Sequence, residues 1–178
     1  TATLNILNDS VVSDNHATNG QGGGIHASGT PDIDIINSTI ENNSAGTDGG
    51  GAYLDAGTLD FSGWWGLSGN SAGANGGGLA VSGTGNAGFT SSTAGSSILN
   101  NHASGHGGAL YLGNTTTLEL HSTNGYLLSL SGNYAGGNGG AAYADGGGYF
   151  DVYGKVVITA NRATAGNGGA FYLSNASR

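Results

Sequence analysis

The chain has 178 residues and a formal net charge of −8, with 11 Asp and Glu against three Lys and Arg, so there is no basic patch to neutralise nucleic-acid phosphates or anionic lipid headgroups. Cysteine is absent, which excludes disulfides and thiolate metal sites, and no apolar run approaches a transmembrane span. Its 38 glycines follow no Gly-X-Y triplet and accompany a single proline, while 37% apolar residues and few charges argue against disorder, leaving a folded, glycine-rich β protein. Neither nucleic-acid binding nor direct membrane insertion of this segment is expected.

The chain opens on an alternating segment in which Leu4 and Ile6 point one way and Asn5 the other. Its equivalents downstream are Ile33/Ile35, Leu59/Phe61, Ala87/Phe89, Leu118/Leu120 and Phe150/Val152. Next comes a short segment with one inward anchor, Val12, matched later by Ile40, Leu67, Ile98, Leu130 and Ile158, each three residues before an asparagine. Those asparagines, Asn15, Asn43, Asn70, Asn101, Asn133 and Asn161, are 28, 27, 31, 32 and 28 residues apart. Each is followed within ten residues by Gly-Gly-Gly or Gly-Gly-Ala, and each tripeptide by a third alternating stretch: Ile25/Ala27, Ala52/Leu54, Leu79/Val81, Leu110/Leu112, Ala142/Ala144 and Phe171/Leu173.

This is an internal repeat with a period typical of solenoids. No unit holds a run long enough for a helix at 3.6-residue periodicity, and each is cut by Gly, Asn and Ser at strand-length intervals. The fold class is therefore all-β: a parallel β-helix of about six coils with three short strands per coil, one domain over 1–178 with repeats near 1–27, 28–54, 55–81, 82–112, 113–144 and 145–178. Coils spaced by the inter-strand distance stack to about 29 Å. The asparagines read as a structural amide ladder that pairs buried turn groups. The residues just before them, Asp14, Asn42, Gly69, Asn100, Gly132 and Ala160, read as corners at positive φ.

Two outward columns are candidate functional surfaces. The first, between the inward residues of the post-glycine strand, is His26, Tyr53, Ala80, Tyr111, Tyr143 and Tyr172. Tyr53, Tyr111, Tyr143 and Tyr172 form a candidate aromatic binding stripe, set against the plainer reading of a ladder that only stabilises the solenoid. Tyr111, Tyr143 and Tyr172 are expected to be partly exposed, with Leu112 and Leu173 buried. The second column carries Asp34, Asp60, Glu119 and Asp151, an acidic stripe read as solvated charge, with weak calcium binding as the alternative. No other cofactor is expected.

No Lys or Arg accompanies Asp34 and Asp60 to bind an anionic sugar, and the five histidines make no metal-ligand spacing, so catalysis is not expected. The chain starts with a middle-strand segment and stops after a post-glycine strand. The joined ends, YLSNASR and TATLNI, read like the internal stretch from Tyr111 to Leu120, so head-to-tail self-association into a filament is an expectation.

The elements VSDN, IENN, LSGN, ILNN, LSGN and ITAN, each paired with a downstream GG[GA][IALF], resemble the FxxN and GGA[ILV] repeats of chlamydial polymorphic outer membrane proteins and similar bacterial and archaeal surface β-helices. The chain departs from that pattern in having Val, Ile or Leu in place of Phe at all six FxxN positions. The resemblance implies a right-handed β-helix, extracellular or cell-surface exposure, and a structural or adhesive role towards a host protein, a cell-surface protein or a glycan. Carbohydrate binding, with or without cleavage, is the competing function.

Overall fold

The computed structural model describes residues 2–114 and 116–174. Thr1 and residues 175–178, on which the expected head-to-tail junction falls, lie outside the described residues. Among those described there is no helix, and the strands pair in parallel, each with its equivalent one repeat away, to build a β-solenoid of about six turns.

Register follows the sequence columns. Leu4, Ile33, Leu59, Ala87, Leu118 and Phe150 stand over one another, as do Val12, Ile40, Leu67, Ile98, Leu130 and Ile158. Slipping any strand by one residue would turn its apolar set to solvent, so each coil fixes the register of the next. The inner side chains of the central coils are fully buried. Phe61 and Phe89 stack at 4.6 Å, and Trp65 lies tilted against both at 5.5 and 5.2 Å, with its indole N–H donating to the Thr90 carbonyl at 3.0 Å. Burial of the polar end of Trp65 is thus compensated.

Strand boundaries differ from three separate segments per coil. Asp32–Glu41, Ala52–Ser68 and Leu79–Ser91 each run unbroken through two or three of them, because the bends at Asn37, Gly57, Gly63 and Gly83 take positive φ and the pairing resumes past them, with register shifts between Ile36 and Ser38 and between Leu54 and Ala56. The alanine two residues after each asparagine closes a further two-residue strand. His16–Ala17, Ser44–Ala45, Ser71–Ala72, His102–Ala103, Tyr134–Ala135 and Arg162–Ala163 form a six-stranded sheet of their own.

Asp14, Asn42, Gly69, Asn100, Gly132 and Ala160 all have φ between 54° and 68°. The double glycine has two separate causes. Its first member sits at φ 63–70° in all six repeats. In the first five repeats a Cβ on its second would strike backbone: on Gly50 it would lie 2.3 Å from the Gly77 carbonyl oxygen and 2.4 Å from that of Ser71.

Leu173, expected to be buried, is 54% exposed, and Leu4 and Val152 are also exposed. All three point inward in register, but they belong to the outermost described coils, where one side has no neighbour.

Candidate functional site

The asparagine column is a continuous ladder through the solenoid. Asn101 shows the repeating unit: its Nδ2 donates to the Leu67 carbonyl at 2.9 Å and to Asn133 Oδ1 at 3.1 Å. Its Oδ1 accepts from both the backbone N–H and the Nδ2 of Asn70 at 3.1 Å. All four capacities of the amide are used in a fully buried position, which is how a polar side chain survives in this core.

A second polar ladder has a signal that sequence reading passed over. The residue directly before each Gly-Gly pair is Gln21, Asp48, Asn75, His106, Asn138 or Asn167, every one a side chain with an acceptor at short reach. Asn75 donates to Asp48 Oδ1 through both its backbone N–H and its Nδ2 at 3.0 Å, and the His106 amide donates to Asn75 Oδ1 at 2.9 Å. The chain continues as the Asn138 amide donates to His106 Nδ1 at 3.0 Å and the Asn167 amide to Asn138 Oδ1 at 2.7 Å.

The tyrosine column is aligned as the sequence places it. Tyr111 and Tyr143 stack at 5.4 Å and 2°, Tyr143 and Tyr172 at 5.4 Å and 8°, and His26 and Tyr53 at 5.3 Å and 18°. Tyr143 is a correction: it is only 8% exposed, because rings cover both its faces and His106 stacks on it at 4.7 Å. Ala80, read as outward, is buried too. It interrupts the rings, while the Tyr53 hydroxyl makes a 2.7 Å hydrogen bond with Ser82 Oγ in the coil of Ala80. Tyr143 donates to Asp145 Oδ2 at 3.2 Å. Burial, more than the neighbouring phenols and carboxylates, raises the Tyr111 and Tyr143 hydroxyls above the usual phenol range. Stacking covers both faces of Tyr143 but one face each of Tyr53, Tyr111 and Tyr172, with Ala80 between the two groups of rings.

The acidic column runs Asn5, Asp34, Asp60, Gly88, Glu119, Asp151. Gly88 breaks it, and a groove of about 300 Å³ opens there, bounded by Asp60 and Glu119 along the axis and by Thr58, Asn86 and Thr117 at the side. The Asp60 carboxylate leans over Gly88, with Oδ1 2.3 Å from where a Cβ would stand, and accepts the Gly88 N–H. Loss of solvent first, then the nearby Asp34, Asp32 and Glu119 carboxylates, hold the Asp60 carboxyl above its ordinary range against that hydrogen bond.

One coil further, the outward side chains beside Asp151 are Tyr149 and Tyr153, 41% and 47% exposed. Tyr153 donates to Asp151 Oδ2 at 2.5 Å, and this bond carries its hydroxyl up to about 12. These aromatics lay outside the tyrosine stripe chosen from the sequence. Their signal was the Tyr-Phe-Asp-Val-Tyr alternation of the middle strand.

His16 and His102 share one column but stand three coils apart, and His26, His106 and His121 each lie on a different column. Among the described residues no group of three or more His, Cys, Asp or Glu side chains converges as a metal site. Comparison with curated proteins and with solved structures gives no match. Residues 95–118 match the family model described as the Chlamydia polymorphic membrane protein repeat, a span that holds both Ile98–Asn101 and the double glycine before Ala109 and Leu110. The molecule is thus a parallel β-solenoid in which residues 95–118 match the polymorphic membrane protein repeat, consistent with a β-helix repeat protein of that kind.

Proposed function

We propose that the chain is a structural and adhesive β-solenoid displayed at a cell surface, without catalytic activity. The observation that carries this reading is the match to a membrane-protein repeat on a scaffold whose two polar ladders and continuous core hold outward side chains at fixed spacing. In such a scaffold stability comes from nearest-neighbour coils, so outer columns can vary without loss of the fold. An antibody raised against the chain should label intact cells of the source organism. Labelling only after lysis would overturn the surface assignment.

Self-association is the partner best supported by the surface. Leu4, Val152 and Leu173 on the outermost described coils expose apolar side chains that equivalent positions elsewhere bury, and a further coil stacked there, supplied in this proposal by a second copy head to tail, would cover them. Light scattering should show mass rising with concentration. A strictly monomeric species at high concentration would remove this partner and leave the adhesive surface to be explained by other ligands.

A further inference from the structure

The groove over Gly88 differs from the rest of the solenoid surface in three respects. Its floor, Ala87 and Gly88, carries almost no side chain, whereas every neighbouring rung of the same column except Asn5 bears a carboxylate. Its walls carry hydroxyl, amide and carboxylate groups together, and no Lys or Arg. Its axial continuation reaches the exposed rings of Tyr149 and Tyr153, which stand in register with Thr117 and His121. At about 300 Å³ it lies at the small end of ligand sites.

Mixed acceptors and donors beside flat aromatic rings suit a hydroxyl-rich ring that hydrogen-bonds at its edge and packs its apolar face. The rise from coil to coil, about 4.8 Å, is close to the length of one pyranose unit, so an extended sugar chain lying along the axis would meet equivalent rungs with successive residues. Asp34, Asp60, Glu119 and Asp151 on the same face repel polyanions.

We propose that this groove, from Asp60 across Gly88 to Glu119 and on to Tyr149 and Tyr153, binds an extended polysaccharide of neutral or amino-bearing pyranoses. The proposal rests on the adhesive reading above. Surface labelling and sugar binding are separate measurements, so either can fail alone.

The test is titration calorimetry or affinity electrophoresis of the whole chain with cello-, xylo- and chitosan oligosaccharides, with polygalacturonate as the anionic arm. Saturable binding to at least one neutral or amino-bearing series is expected, with none to polygalacturonate. Gly88→Val fills the floor and should weaken binding at least tenfold with an unchanged melting temperature, since the two atoms its Cβ meets, Oδ1 and Cγ, both belong to the movable end of the Asp60 side chain. Should Gly88→Val melt early, Asn86→Ala decides the matter: this exposed wall residue should lose several-fold in affinity while the fold stays intact. Absence of saturable binding, undiminished binding by both variants, or equal binding of polygalacturonate overturns the proposal.

Discussion

Replacing Asn101 by Ala removes one rung of the buried amide ladder, and its cost can be worked from the bonds lost. The Leu67 carbonyl loses the Nδ2 donor, and the backbone N–H and one Nδ2 hydrogen of Asn70 lose their acceptor, while Asn133 Oδ1 keeps the Asn101 backbone N–H. Three groups are left short in a site sealed from water. At about 1–3 kcal/mol for each buried group without a partner, partly relieved by local adjustment, the loss is about 3–6 kcal/mol, a large share of the stability of a domain this size. Asn101→Asp should cost more, because it sets a carboxylate oxygen against the Leu67 carbonyl and Asn133 Oδ1. Asn15→Ala is the control: the same column at an exposed end, expected to cost under about 1 kcal/mol. Urea unfolding followed by circular dichroism measures all three. If Asn101→Ala and Asn15→Ala fell within about 1 kcal/mol of each other, the ladder would not be what compensates the buried amides.

Ile98→Asp should abolish the cooperative melt, since Ile98 is sealed in the core, whereas Ser131→Asp on an outward position should shift it by only a few degrees; the reverse ranking would break the register. Gly77→Ala should prevent folding altogether, with a Cβ 2.3 Å from the Gly108 carbonyl oxygen, and a folded, soluble variant on gel filtration would contradict the packing. Ala160 holds a φ of 54° that suits glycine or asparagine, so Ala160→Gly should raise stability by roughly 0.5–1 kcal/mol in the same urea assay. Tyr153 should ionise at about 12 in an ultraviolet titration and fall back towards 10.0 in Asp151→Asn. Because the folded state favours its neutral form, this contribution to stability is present below the ordinary phenol range and is lost as pH rises through it towards 12.

The sequence alone determined the coil: apolar columns such as Ile33/Ile35 and Leu118/Leu120, the repeated asparagine and the positive-φ corners were legible because a parallel solenoid stacks each residue on its own repeat, so the contacts that matter lie one period away. What only the tertiary structure decided depends on how side chains lean between coils. Tyr143 is buried because rings close over both its faces, and Asp60 bends across Gly88 at the edge of the groove rather than standing straight out beside it. The second polar ladder lay between these cases. Its residue types are uniform in chemistry but not in identity, and only the paired distances showed that Asp48, Asn75, His106 and Asn138 do one job.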